Sequence, residues 1–330
     1  MKQTVLYIFK KLLRLVLLLF CVSIVAFALV TVSPVNPLDT NIGQAALGSM
    51  SDEQIAKLEQ YWGTDAQPVQ RYIDWAGDFL HGDMGISLLY RQPVSQVIGE
   101  KLSNSLWLMA FAWVASGLAG FWMGIAAGAR PGSLTDKSVR TYSLVMASIP
   151  VFWLAVLLMM VFAVWLQVLP IGLSVPIGVD AADVTFADRL QHAVLPAVTL
   201  SMAGVAGIAL HTREKMADVM ASDYVLFARA RGEGERAIVR RHGVRNVLLP
   251  AITLQFASIS EIFGGSVLVE QVFSYPGIGQ AAVAAGLGGD VPLLLGITVV
   301  SAAIVFAGNF IADILCTVVD PRIRLGGMQK

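Results

Sequence analysis

Charged residues are scarce in this sequence. Asp, Glu, Lys and Arg make up 14% of the 330 residues, whereas an ordinary soluble domain has about a quarter. Hydrophobic residues make up 56%, and the mean hydropathy is +0.69. This composition excludes an ordinary soluble globular protein and predicts an integral membrane protein.

Residues suited to catalysis or metal binding are also few. Cys21 and Cys316 both lie in apolar runs, which predicts small core residues rather than a disulfide. No two histidines have metal-ligand spacing on one helix face, and we predict solvated or capping roles for them: His81, His192, His211 and His242. The patterns G-x-x-x-x-G-K-[ST], G-x-S-x-G and H-E-x-x-H do not occur. We therefore expect no catalytic residue, no metal site, no cofactor in this chain and no nucleic-acid partner.

Long apolar runs dominate the remaining sequence. A run of about 20 apolar residues crosses a bilayer as a helix, because every backbone group must be satisfied internally in lipid. The sequence predicts an all-α polytopic membrane protein with six transmembrane helices, at 12–32, 104–129, 141–167, 193–212, 247–272 and 292–317. The first run is longer than the roughly 7–15 residues of a signal-peptide core, so we interpret it as a retained span.

Lysine and arginine are distributed unevenly between the connecting segments. They concentrate near the N-terminus, at 130–140, at 213–245 and in the tail 318–330, whereas 33–103, 168–192 and 273–291 hold few. Basic residues favour the cytoplasmic side of a membrane. The sequence therefore predicts that both termini and the segment 213–247 are cytoplasmic.

The outer segment 33–103 has a helical pattern. Ser51 is typical of a helix N-cap, and "QPVQRYIDWAGDFL" repeats apolar residues at helical spacing. Two interpretations stay open: a cap that packs on the ends of the spans, or a docking surface for an extracytoplasmic partner.

The segment "DYVLFARARGEGERAIVRRHGVRNVLLP" is strongly basic. We predict a short helix capped by Ser222 or Asp223, a left-handed residue at Gly232, and a second amphipathic helix from about Glu235 to Asn246. Pro250 is then expected in the first turn of the fifth span. Such a segment fits either a helix lying on anionic headgroups or a helix that docks into a groove of a cytoplasmic protein.

The same segment resembles the coupling segment of the membrane subunits of ATP-binding-cassette importers for dipeptides, oligopeptides and nickel. Ala228, Gly232 and the ending Val247–Leu248–Leu249–Pro250 carry the resemblance, and Leu226 stands where the signature has its opening glutamate. The stretches "GDMGISLLYRQPV", "VEQVFSYPGIG" and "NFIADILCTVVDPRIR" are also similar to that family.

This resemblance implies a type I ABC importer permease fold in a bacterial inner membrane. It implies an N-terminal end and first helix at 1–32, an extracytoplasmic segment at 33–103, a permease core at 104–317 and a tail at 318–330. The implied partners are a second homologous permease, two cytoplasmic ATPase subunits that hold ATP and Mg, an extracytoplasmic binding protein and the lipid bilayer. Transport would follow alternating access.

The resemblance also implies roles for individual residues. Coupling to the ATPase would involve Asp223, Tyr224, Ala228, Ala230, Gly232, His242, Arg245, Asn246 and Pro250. An outer loop or gate would contain Glu270, Phe273, Pro276, Gly277, Gly279 and Asp290. We interpret Glu270 and Asp290 as outer carboxylates explained by solvation or by gating contacts.

Glu261 lies near the middle of the fifth predicted span. A carboxylate at that depth costs several kcal/mol unless a cavity or partner compensates it, so a functional role is expected by default. It either lines the translocation pathway or is a structural carboxylate bonded to Ser258, Ser260 or a neighbouring span. Asn309 and Asp313 are predicted to form interhelical hydrogen bonds, and Asp320 to bind Arg322 or Arg324.

Two other functional classes compete with an importer subunit. An ion-gradient-driven secondary transporter would need inverted repeats and ion ligands in both halves, and a non-transporting membrane adaptor leaves Glu261 unexplained. Peptides, nickel and metallophores all remain open as substrates.

Overall fold

Helices make up the regular secondary structure of the part of the chain that the structure describes. The computed structural model describes residues 2–32, 50–51, 53–54, 67–176, 178–179 and 183–319. Within these ranges the only pairing of extended backbone is an isolated bridge between Ile86 and Pro93. The predicted all-α class is confirmed.

The helices are numbered here in chain order. They are α1 Lys2–Val32, α2 Pro68–Leu80, α3 Val94–Gly128, α4 Leu134–Ser148, α5 Val151–Met159 with a π-helical extension Met160–Trp165, α6 Phe186–Met220, α7 Asp223–Ala230, α8 Glu235–Ile238 with a π-helical extension Val239–Gly243, α9 Val244–Ala257, α10 Ile259–Val272, α11 Ile278–Leu287 and α12 Val291–Val319. By their contacts they divide into two compact units, 1–105 with 277–306 and 106–276 with 307–330.

Among the described residues, four helical stretches are long and apolar enough to cross a membrane: Phe9–Val32, α3, α6 and Val291–Ile314. Two bent pairs raise the number to six if each crosses as one span. The first pair is α4 with α5 and its extension, bent by 104°, and the second is Glu235–Ala257 with α10, bent by 46°. If each bent pair crosses as one span, the six predicted spans correspond to four continuous helices and two bent ones.

Several helices extend beyond the apolar runs that predicted them. α3 begins at Val94 rather than at 104, and α6 covers Phe186–Met220 rather than 193–212. The start of α6 is fixed by a capping box, in which Thr185 accepts from the backbone N–H of Asp188 and the Asp188 carboxylate accepts from Thr185. Hydropathy marks only the apolar part of a helix, so these polar turns were missed.

Glycines let α3 and α6 approach closely. A Cβ atom on Gly124 would lie 2.5 Å from Cβ of Thr212, and one on Gly128 would collide with the carbonyl oxygen of Arg213. Small residues at such positions bring backbones together where no hydrophobic force drives helices together in lipid. This contact positions the C-terminal end of α6, on which the basic segment packs.

Candidate functional site

The first arm of the basic segment is the short helix α7. Ser222 is its N-cap, and the helix ends at Ala230. Gly232 follows with φ of +82°, and no heavy atom lies within 4 Å of the place where its Cβ would stand. Its backbone conformation, rather than a shortage of space, therefore accounts for glycine here, and the predicted left-handed residue is confirmed.

The second arm differs from the prediction of a separate helix ending near Asn246. α8 runs through the π-helical turn Val239–Gly243 directly into α9, so the arm and the inner half of the fifth span form one helical rod. Pro250 lies inside α9 and not in a first turn. The prediction was wrong because buried Val247 and Ala251 hold the helix on either side of Pro250, which offsets the cost of a proline in a helix interior.

A methionine connects both arms to the spans. Met216 of α6 is fully buried and belongs to a cluster with Met220, Val225, Ala228, Ile238 and Val247. Gly243 leaves the space for this side chain, since a Cβ there would lie 2.8 Å from Sδ of Met216. Both arms therefore pack against α6 at the Met216 side chain.

Ion pairs close the bend between the two arms. Nε and Nη2 of Arg229 donate to the Glu235 carboxylate at 2.8 and 3.3 Å. Arg231 donates to Glu233 at 2.8 Å, and Nε2 of His242 lies 3.4 Å from the same carboxylate. Desolvation opposes ionisation of Glu233, but the hydrogen bonds from His242 and Arg231 outweigh it and lower the pKa of this carboxyl.

The outer face of α7 is apolar. Leu226 and Phe227 are 63% and 70% exposed, and Tyr224 is 44% exposed. The second arm carries several exposed arginines that make no ion pair with any described residue: Arg236, Arg240, Arg241 and Arg245. The basic segment thus presents an apolar ridge on its first arm and exposed positive charge on its second.

The predicted coupling residues divide into an exposed set and a packed set. Six are exposed: Asp223, Tyr224, Ala230, Gly232, Arg245 and Asn246. Ala228 is buried against the Met216 cluster, and Pro250 is partly buried. His242 is partly buried and lies beside Tyr224, with ring centroids 6.2 Å apart. The structure thus brings these residues together at one end of α6.

Glu261 lies in the first turn of α10, just beyond the bend at Ser258, and is exposed. Neither of the serines considered as its partners bonds to it. Ser258 donates to the carbonyl of Gln255 at 2.8 Å, and Ser260 donates to Oδ1 of Asn309 at 2.9 Å. The predicted interhelical role of Asn309 is confirmed, whereas Glu261 makes no hydrogen bond or ion pair within the described ranges.

Comparison with known proteins now places the chain. Residues 119–325 match the family described as "Binding-protein-dependent transport system inner membrane component". The chain belongs to this family.

Named relatives cover nearly its whole length. It is 37% identical over 325 residues to the oligopeptide transport system permease protein AppB of Bacillus subtilis, covering 96% of this chain and 99% of the relative. It is 32% identical over 321 residues to the di/tripeptide transport system permease protein DppB of Pseudomonas aeruginosa, covering 92% and 94%. The type I permease fold and the multi-pass inner-membrane location are therefore shown.

The expectation that solvation explains the outer carboxylates is wrong for this permease. Glu270 and Asp290 are both 0% exposed. The backbone carbonyl of Glu270 accepts from the Tyr275 N–H at 2.9 Å, and that of Phe273 accepts from the Leu173 N–H at 2.8 Å. Phe273 is also buried, in a cluster with Leu108 and other core residues. Glu270 and Phe273 thus belong to the packed interior of their unit.

Asp290 fixes an outer turn in the other unit of the permease. Its carboxylate accepts from the Ser87 hydroxyl at 2.5 Å, from the Leu89 N–H at 3.0 Å and from the Leu293 N–H at 3.2 Å. It therefore caps the N-terminus of α12 while holding the turn at 87–89. Gly277 is the N-cap of α11, which contains buried Gly279.

Sequence reasoning missed one anchor on the permease's basic side. Arg213 donates to Asp136 through Nε at 2.7 Å and Nη2 at 2.8 Å, and the Gly132 N–H donates to the same carboxylate at 2.8 Å. Asp136 is 2% exposed. Ser133 caps this helix by accepting from the Asp136 N–H, but the apolar run placed the start only at 141, and nothing in the sequence links Asp136 to residue 213. Several other predictions lie outside the described residues: the helix after Ser51, the Asp320 contact and the tail.

Proposed function

We propose that this permease is a membrane subunit of an ATP-driven peptide importer and forms half of the translocation pathway. Family membership supports an importer subunit over a secondary transporter or an adaptor. Peptides are preferred to nickel or a metallophore because the relatives named above are oligopeptide and di/tripeptide permeases. An extracytoplasmic binding protein would deliver the peptide, and a second homologous permease would supply the other half of the pathway.

Two cytoplasmic ATPase subunits would bind ATP and Mg and drive the cycle. The distribution of basic residues supports a cytoplasmic position for both termini and for the basic segment. ATP binding would close the ATPases, open the pathway outward, and allow hydrolysis to reset it inward.

The observation that carries this proposal is the continuous rod from Glu235 to Ala257. The apolar ridge of Leu226 and Phe227 fits a helix that docks into a groove of a partner. Force applied there would reach α6 through Met216 and the fifth span through the rod, without a flexible joint before Ser258. Gly232 supplies the bend between the two arms.

Glu261 would line the pathway of this importer. It is an exposed carboxylate at mid-span, and exposure to lipid is costly for a charge at that depth. A face toward water between the two permease subunits avoids this cost. A cationic group of the peptide could then bind the Glu261 carboxylate, just beyond the bend at Ser258.

Docking is tested with Phe227→Ser, which removes the most exposed aromatic side chain of the ridge. We expect loss of the ATPase subunits from the purified complex and loss of peptide uptake, while the permease still inserts. The matched control is Leu134→Ser, because Leu134 is an 82% exposed apolar residue at the start of another helix. Normal ATPase recovery with Phe227→Ser would exclude the ridge as the docking surface.

A further inference from the structure

The outer helix α2 has three distinct faces. Tyr72, Trp75 and Phe79 are partly buried on one face. A second face carries exposed apolar side chains, with Val69 70%, Ile73 56% and Leu80 85% exposed. The third face is polar and exposed and consists of Gln70, Asp74 and Asp78, with Gln70 donating to Asp74 at 2.8 Å. Such a pattern is typical of a helix between water and an apolar medium.

The aromatic face of α2 contacts the first span. The Phe27 and Tyr72 rings meet edge to face with centroids 5.4 Å apart, and the Trp75 centroid lies 6.3 Å from that of Phe27. The hydroxyls of Ser23 and Tyr72 are 2.9 Å apart. The guanidinium of Arg71 lies 5.9 Å from the Phe27 ring centroid. These contacts fix which part of α1 is level with α2.

That level is close to the end of the apolar stretch. α1 ends at Val32, so Phe27 lies roughly 7.5 Å below its end at 1.5 Å per residue. An interfacial helix buries its apolar face about 5–10 Å into the boundary between headgroups and acyl chains. Tyrosine and tryptophan are enriched at this depth because their rings are apolar with a polar edge.

We propose that α2 is an interfacial helix that lies along the outer leaflet and buries its Val69–Ile73–Leu80 face among the lipids. A binding protein in the aqueous space reaches only the surface above this level, where the Gln70–Asp74–Asp78 face lies. The surroundings of α1 also fit lipid, since only 11% of its most apolar window is buried. The assignment of α2 to the outer leaflet rests on the proposed orientation of the importer, but the depth of α2 in the membrane does not.

The proposal is tested with neighbouring side chains on the apolar face and the polar face of α2. Nitroxide labels are attached to Ile73→Cys and Asp74→Cys, each in a chain whose Cys21 and Cys316 are replaced by Ser. The assembled complex is placed in nanodiscs of phosphatidylethanolamine and phosphatidylglycerol. Collision with oxygen, which concentrates in lipid, is compared with collision with a water-soluble nickel chelate. Leu80→Cys and Asp78→Cys form a second pair in case one variant assembles poorly.

We expect oxygen to dominate at Ile73 and Leu80, and the nickel chelate to dominate at Asp74 and Asp78, with a several-fold difference in the ratio within each pair. Equal nickel access at both members of a pair would overturn the proposal, since the apolar face would then lie in water. Protection of Ile73 and Leu80 from both reagents would also overturn it, by showing that protein covers the face. Because the collision ratio reports depth on either side of the membrane, these outcomes do not depend on whether the importer proposal holds.

Discussion

The third and fifth spans are both bent, yet proline has opposite consequences in them. In the third, Ile149 precedes Pro150 and is extended, with φ of −93° and ψ of 123°, as the ring of a following proline favours. The helix axes there turn by 104°. In the fifth, Pro250 lies within a helix, and the smaller bend of 46° follows it at Ser258. Packing around a proline therefore decides whether it ends a helix.

The two spans also differ in how their N-terminal ends are held. The inner arm of the third span, α4, is held to α6 by the Asp136–Arg213 ion pair. The inner half of the fifth continues into α8 and packs on α6 through Met216. One arm is fixed by a directional charged contact, and the other rests on a flexible apolar side chain that tolerates small shifts.

Leu254→Pro is expected to have the largest effect. It would end the helix within the fifth span, as happens before Pro150 in the third. Proline in a helix interior costs about 3 kcal/mol or more, and position 254 lies in the rod between the basic segment and Ser258. We expect peptide uptake to be abolished and ATPase activity to become independent of the binding protein. Both are measured on complexes reconstituted in liposomes.

Ile259→Pro is the matched control. It replaces another branched aliphatic residue, but at the first position of α10, where the N–H is not needed within the helix. We expect most of the uptake to remain. Equal loss in both variants would show that continuity of the rod has no special importance.

Gly243→Val should have the next largest effect. The added side chain would occupy the space of the Met216 thioether, since even a Cβ would be 2.8 Å from Sδ. Overpacking of this kind typically costs about 1–3 kcal/mol, so we expect a several-fold loss of uptake with normal insertion. Met216→Ala in the same chain should restore part of the activity. If uptake does not recover in the double variant, the loss is caused by a distorted backbone in the π-helical turn and not by a clash with Met216.

Glu261→Gln should have a moderate effect. It keeps the shape and hydrogen-bonding capacity of the side chain and removes its charge, so assembly should be normal. Uptake of cationic peptides per assembled complex should fall several-fold, while that of acidic peptides should change less. If uptake is unchanged in Glu261→Gln but Glu261→Leu loses assembled protein, the carboxylate is structural.

The smallest expected effect is a pH dependence of the bend between the two arms. Because the folded pKa of Glu233 is lowered from 4.5, its contribution to stability is present above pH 4.5 and is lost as pH falls through the lowered pKa. Amide hydrogen exchange of residues 231–236 should therefore accelerate, relative to neighbouring segments, as the pH is lowered from 5 toward 3. Glu233→Gln should remove this dependence, and an unchanged profile in that variant would assign it to another group.

Local signals in the sequence predicted local structure well. The left-handed Gly232 and the amphipathic helix α2 follow from one residue's backbone preference and from helical periodicity. The continuity of the fifth span did not follow, because proline is a local signal while Val247 and Ala251 act through packing with distant residues. For the same reason the sequence did not reveal that Glu270 and Asp290 are buried.

The outward exposure of Phe227 could have been inferred earlier. Once Val225 and Ala228 are assigned to the packed face of α7, the helical period leaves Leu226 and Phe227 on the other side. The Asp136–Arg213 ion pair could not be inferred in this way. Its members are 77 residues apart, and helical periodicity says nothing about contacts between different helices.

The bond between Ser87 and Asp290 has a consequence for biosynthesis. Its members are 203 residues apart in the chain. At a synthesis rate of about 5–20 residues per second, the turn at 87–89 waits roughly 10–40 s for its carboxylate to be made. The outer surface of the first unit is therefore completed only when the last span begins to emerge, so a chain whose synthesis stops before residue 290 presents that turn without its anchor.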